Sequence, residues 1–229
     1  MSKNISKAGI LLALLGVPAF IFLFLKFFGN NKFDLPYFFP QIGENGEVLV
    51  IGKDTVFHRP YNFVLKDQKG KPYVYDSLDG SIRVVSFFFS RCGTICPPAN
   101  KNLSRVQDLF KNNPDLKILS LSVDPVYDTS DVLDEYSRSF QAVENKWFFL
   151  TGNKKEIYDI IIKGFKVPVA DASEYDKNII DIDETFIHTD KLLLIDREGF
   201  IRGIYGSNEA LEIERLIVEI KVLINQKGS

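Results

Sequence analysis

The hydrophobic pattern changes period several times along the chain, and each change marks an element. From Ala8 to Leu25 the residues AGILLALLGVPAFIFLFL carry no charge, and Phe27 and Phe28 extend the run past Lys26. About 20 apolar residues make a spanning helix. Lys26 can snorkel to the interface, and Pro18 is tolerable in a membrane helix. A cleaved signal peptide has a shorter apolar core and a small-residue cut site, and no convincing site follows Leu25. No cysteine directly follows the run, which argues against a lipoprotein anchor. Residues 1–28 are read as an N-terminal transmembrane anchor. Lys3 and Lys7 before it and Lys26 and Lys32 after it hardly orient it. A short stub before a signal-anchor usually stays inside, so the rest is expected outside the cytoplasm, on the periplasmic face of a bacterial membrane.

Residues 29–57 read as a turn-rich stalk with a small β-hairpin at GENGEVLVIG. From residue 58 to 229 the pattern is regular. YNFVLKDQKGKPYVY gives two short strands around Gln68-Lys69-Gly70. RVVSFFF (Arg83 to Phe89) is a continuous apolar run of buried-strand type. Leu103, Val106, Leu109 and Phe110 recur at helical spacing; LKILSLSVD is a strand; Val132, Leu133, Tyr136 and Phe140 mark a helix. KWFFLT is a strand, and Ile157, Ile160 and Ile161 a helix. An irregular acidic stretch, Val167 to Glu184, follows. KLLLID and FIRGIYG flank Arg197-Glu198-Gly199 as a hairpin, and Ile213, Leu216, Ile217, Ile220 and Ile224 give a closing amphipathic helix. Strands alternating with helices imply an α/β fold, a mainly parallel central sheet with helices on its faces. The final hairpin makes the sheet mixed.

Composition adds boundaries. The chain has 229 residues and a formal net charge of −2, which gives no general argument for a nucleic-acid partner. Its two cysteines are too few for a disulfide scaffold. Two histidines are present, His58 and His188, so any site that needs imidazole chooses between them.

Both cysteines lie in FFFSRCGTICPPAN, where a buried strand ends and a helix begins. Pro97 suits a first helical turn. A helix N-terminus stabilises thiolate over thiol, and the carboxyl ends of parallel strands are where open α/β folds bind ligands. Three readings of Cys92 and Cys96 stand side by side. A structural disulfide here closes only a short loop and restricts the unfolded chain little. A redox dithiol fits the strand–helix junction of thioredoxin-like proteins, with one residue more than their Cys-x-x-Cys. A metal site of two thiolates and one imidazole suits copper(I), then zinc. For that reading His188, just before a core strand, is better placed than His58, which reads as an ordinary surface or edge residue. Asp124 and Asp128 follow the next strand and could bind a partner's basic surface or tune His188; turn and cap roles before the helix near Asp131 are the simpler reading. The acidic run Asp171 to Glu184 reads as a solvated insertion rather than a docking loop. Trp147 and the phenylalanine strands read as core.

From about Asn62 to Ile224 the chain resembles the Sco/SenC family of copper-binding, membrane-anchored thioredoxin-fold proteins. Four features carry the likeness in order: FFFSRCGTICP, SVDPVYDTSDVLDEY, WFFLTGNKKEIY and HTDKLLLIDREGFIRGIY. The resemblance implies a thioredoxin-like fold and a mononuclear copper site made by Cys92, Cys96 and His188, holding copper(I), with copper(II) left open. It implies a metallochaperone, not an enzyme in the turnover sense, that helps assemble the Cu-A centre of cytochrome c oxidase, its partner being the oxidase subunit that carries that centre. The alternative is a membrane-tethered thiol–disulfide oxidoreductase in which Cys92 and Cys96 reduce a partner's cysteines. The chain departs from the commonest pattern at Gly93-Thr94, where many members have proline after the first cysteine. Gly93 loosens the loop but removes no donor.

Overall fold

The structure, a computed structural model, describes residues 2–28, 34–172, 175, 186–187 and 189–226. The chain divides into two units, Met1–Asp34 and Leu35–Ser229. The first holds helix α1, Ser2–Phe28, 27 residues with Pro18 inside. Its described apolar side chains include Leu12, Phe20 and Phe22, all exposed. Among the described residues no helix is long and apolar enough to cross a membrane. The expected anchor is therefore not shown; the side chains described in α1 cover only part of the helix.

The second unit opens with a strap. Leu35 is buried, and the Phe38 N–H donates to the Ile201 carbonyl at 3.0 Å. Strands β1 (Val50–Ile51) and β2 (Asp54–Thr55) form a ribbon turned at Gly52, which has φ +68°. A further turn at Gly43–Glu47 precedes it, so GENGEVLVIG spans the first turn and the strand after it. Strands β3 (Val64–Lys66) and β4 (Pro72–Val74) pair around the expected turn.

The centre of the unit is a five-stranded sheet built from β5 (Ile82–Phe88), β6 (Leu116–Ser122), β7 (Trp147–Leu150), β10 (Lys191–Ile195) and β11 (Ile201–Gly206). Their spatial order is β11-β10-β5-β6-β7. β5, β6 and β7 are parallel, and β10 and β11 antiparallel, as the alternating pattern and the closing hairpin require. All seven residues of β5 are buried, because helices cover both faces. A lone pair, β8 (Ala170–Asp171) with β9 (Phe186–Ile187), lies outside the sheet.

The helices are α2 (Cys96–Leu109), α3 (Ser130–Ser139), α4 (Lys154–Asp159) and α5 (Ala210–Asn225). On one face of the sheet Phe88 stacks on Tyr136 of α3, and α2 meets α3 through Asn100 and α5 through Arg105. On the other face Phe87 and Phe63 pack on Phe165, which follows α4. The helix expected at Ile157–Ile161 is real but widens into a π turn, Ile160–Gly164. Trp147 is fully buried as expected, its indole N–H donating to Ser120 Oγ at 2.9 Å.

Candidate metal centre

The apolar run of β5 ends at Phe88, and the chain leaves the sheet at its carboxyl edge. The Cys92 N–H donates to the Phe89 carbonyl at 3.2 Å, closing a tight turn. Cys96 opens α2, with proline in the first turn, where its missing N–H costs no helical bond. The two thiols are unbridged and buried. The Cys96 backbone N–H donates to Cys92 Sγ at 3.3 Å, and the Thr94 hydroxyl lies 3.8 Å from the same sulfur. The Cys96 thiol, bonding to Cys92 Sγ, is the largest influence that pulls Cys92 down to about 5; burial opposes it, and the N–H groups of Cys96 and Thr94 assist. Cys92 is thus a thiolate at neutral pH, the form that binds metals and attacks disulfides.

Two loops hold this turn in place. Arg91 donates to Asp124 at 2.5 Å and lies 4.2 Å over the Tyr127 ring. The Ser90 N–H donates to Asp128 at 3.1 Å, the Ser90 hydroxyl donates to it too, and the Ser122 hydroxyl donates at 2.5 Å. Asp128 is fully buried, and burial raises its carboxyl above the usual range against the pull of these donors. Asp124 is a turn residue as expected, its carbonyl accepting from the N–H groups of Tyr127 and Asp128. Asp128 does not cap α3. Thr129 does, accepting from the Val132 N–H at 3.4 Å, while Asp128 fastens the cysteine turn to β6.

On the other flank the Asn208 amide donates to the Ile95 carbonyl at 3.2 Å. Asn100, buried and one helical turn beyond Cys96, donates to the Tyr136 hydroxyl at 2.9 Å. Burial first and the Cys96 sulfur next keep that phenol protonated. The sequence reading leaves Asn100 out and takes Tyr136 only as a marker of the helix. The signal available was the spacing, since Asn100 stands four residues after Cys96 on the same helix face.

A narrow cleft brings Cys96, Ile95 and Asn100 together with Thr189 and Asp190. The antiparallel register that pairs Leu193 with Val85 starts β10 at this end of β5, and the Ser207 N–H fixes the Asp190 carbonyl at 2.8 Å. His188 itself lies outside the described residues, as does most of the acidic run. Among the described residues no group of three or more His, Cys, Asp or Glu is arranged to hold a metal. The structure places Cys92 and Cys96 together as a pair. His58 is half-buried rather than on the surface. Its Nε2 lies 2.7 Å from the Gly164 carbonyl, and burial lowers its pKa.

The family profile described as SCO1/SenC matches residues 54–225. A SCO2-like protein of Rickettsia typhi is 31% identical over 215 residues, covering 93% of this chain and 97% of that one. BsSco, described as a member of the Sco family of cytochrome c oxidase assembly proteins in which a disulfide switch is identified, is 27% identical. It superposes with a TM-score of 0.62 over 74% of this chain and 95% of its own. Copper-bound ScoI of Bradyrhizobium japonicum is 25% identical with a TM-score of 0.60, over 72% of this chain and 99% of that one. The mixed sheet and its helices are the thioredoxin-like Sco fold. With the profile spanning nearly the whole folded unit, the chain belongs to the SCO1/SenC family.

Proposed function

We propose that this chain is a membrane-anchored copper carrier that assists assembly of the Cu-A centre of cytochrome c oxidase, holding its cargo on Cys92, Cys96 and His188. The observation that carries the reading is the cleft that Cys96 shares with Thr189 and Asp190, the residues directly after His188. The donor set fits the cargo. Two thiols in hydrogen-bonding contact, one of them a thiolate, are soft ligands that favour copper(I) over harder ions. The start of α2 offsets their negative charge. Three donors from two segments leave an open position through which a recipient's thiolate can enter. Residues 1–28 serve as the anchor, supported by the uncharged run in a 27-residue helix, and the folded unit works outside the cytoplasm. The partner is the oxidase subunit that carries the Cu-A site; the description of BsSco supports an oxidase role, and copper-bound ScoI supports the cargo.

The test is copper(I) uptake by the reduced full chain in competition with a chelator. The wild type is expected to take one equivalent. His188→Ala is expected to lose at least about a hundredfold in affinity, since even outer partners of metal ligands are worth ~10–100-fold. A His188→Ala variant that binds copper(I) as tightly as the wild type would refute the ligand set.

One observation favours a second reading, thiol–disulfide exchange. Cys92 is a thiolate beside a second thiol. Cys92 would attack a partner disulfide, releasing one partner thiolate; Cys96 would then displace the other. Two electrons pass to the partner, and a Cys92–Cys96 disulfide remains. This reading predicts that His188→Ala keeps its activity.

A further inference from the structure

β11 runs into a short strap, Ser207-Asn208, that is bonded to both segments flanking the cleft. Ser207 is buried, and its N–H donates to the carbonyl of Asp190, two residues after His188, at 2.8 Å. The Ser207 carbonyl accepts from the side-chain amide of Asn102, within α2, at 2.8 Å. The Asn208 amide donates at 3.2 Å to the carbonyl of Ile95, the residue before Cys96. That carbonyl also accepts from the Ala99 N–H at 3.3 Å, so Asn208 grips the first bond of the cysteine helix. Ile95 and Asn102 stand about two helical turns apart. The strap is thus stapled to the cysteine helix at two points and to the start of β10 at a third.

Asn208 lies beside the first turn of α5, where asparagine ordinarily serves its own helix as a cap. α5 begins without a side-chain cap, and the Asn208 amide reaches instead to a carbonyl 113 positions away. Gly206 lets the strap pass close to Glu209, since a Cβ there would meet Glu209 Oε1 at 2.4 Å. On the far side Thr189 braces the entry to β10, its hydroxyl accepting from the Lys191 N–H at 3.2 Å. A site whose donors come from two segments binds tightly when both are already held at bonding separation, because otherwise the cargo must order them. Supporting hydrogen bonds are what hold such a site.

We propose that Asn102 and Asn208 are positioning residues, which clasp the Cys92–Cys96 turn to the segment that follows His188 and so preorganise the site for its cargo. The proposal rests on the copper-carrier reading and adds what holds the two halves of that site together. Both residues act through backbone carbonyls and supply no donor of their own.

The test compares variants of the reduced full chain by copper(I) affinity, measured against chelators of graded strength. Asn102→Ala and Asn208→Ala together are expected to weaken binding about tenfold or more, the effect that outer partners of metal ligands have. In a His188→Ala background the same two changes alter affinity less than about twofold, because no imidazole is left to position. Asn208→Ala alone, at an exposed residue whose loss leaves the core intact, gives the same contrast on a smaller scale. It is expected to weaken binding about threefold or more with His188 present, the worth of one hydrogen bond, and to change nothing without it. Wild-type affinity in these variants would overturn the proposal. So would an equal loss in both backgrounds, since the two amides would then only support the fold. Failure of the carrier reading shows in chains whose clasp is intact, as a wild type that takes up no copper(I) or a His188→Ala chain that binds as tightly as the wild type.

Discussion

The two ends of β5 handle buried polarity in opposite ways. At the end where β5 begins, Asp196 and Arg202 pair at 2.9 Å, both buried. Arg202 also donates to the Leu35 and Pro36 carbonyls and lies 3.8 Å over Tyr37. Asp196 accepts from the N–H groups of Glu198 and Phe200, which closes the β10–β11 turn. Asp196 and Arg202 each have an opposite charge and several hydrogen bonds, so that end is a clamp. At the thiol end, the carboxylate of Asp128 accepts from Ser90 and Ser122, and no cation pairs with it among the described residues. The adjacent Cys92 is anionic. Among the described residues no ion pair neutralises Asp128, which suits a site that accepts a cation. The clamp holds the fold, and the uncompensated end supplies the chemistry.

The contrast can be broken at either end. The largest effect is expected from Arg202→Ala, which strands a buried carboxylate and should cost ~3–5 kcal/mol, read as a lower denaturation midpoint. Copper(I) affinity of the folded fraction should not change. A fall in affinity would show that the ends are not separate. Cys92→Ser or Cys96→Ser should lower copper(I) affinity by more than about a hundredfold, roughly 3 kcal/mol. Asp128→Ala should affect both readouts, because it leaves the Ser90 N–H and two hydroxyls without their acceptor beside the thiol turn. Its stability cost is ~1–3 kcal/mol. Arg91→Ala, which leaves the buried Asp124 carboxylate without its half-exposed cation, should cost ~1–3 kcal/mol.

The pH dependence sharpens the same contrast. Cys92 in the reduced, metal-free fold titrates at about 5, below the value of 9.0 for a free thiol. Folding therefore favours the thiolate. The associated stability is complete above the free-thiol range, declines as pH falls, and is gone below about 5. Thiolate absorbance of the Cys96→Ala variant would not serve as the check, since the Cys96 thiol is the main cause of the shift. The wild-type alkylation rate at Cys92 should instead stay flat from about pH 8 to 6 and fall with a midpoint near the depressed value. A midpoint in the ordinary thiol range would contradict the geometry.

Much of the fold was legible because it is written in local periodicity. The continuous apolar run of β5, the helical spacing in α2 and α5 and the turn at Arg197-Glu198-Gly199 all appear where the pattern puts them. Gly199, at φ +88°, has the backbone that a turn of this kind asks of glycine. The cysteine pair was legible for the same reason, since a strand end and a helix start bracket it. What escaped depends on distant partners. His58 looked like an edge residue because its acceptor, the Gly164 carbonyl, is 106 positions away. Asp128 looked like a cap because its donors, Ser90 and Ser122, reach it only once β5 and β6 lie side by side. The π turn at Ile160–Gly164 leaves no mark that separates it from an α-helical pattern.

The central claim is that one imidazole joins two sulfurs around the cargo. X-ray absorption at the copper edge of the copper(I)-loaded full chain tests it most directly. The account predicts two sulfur scatterers and one nitrogen in the wild type, with the nitrogen lost and both sulfurs kept in His188→Ala. A wild-type spectrum of sulfur alone, or one that His188→Ala leaves unchanged, would contradict it.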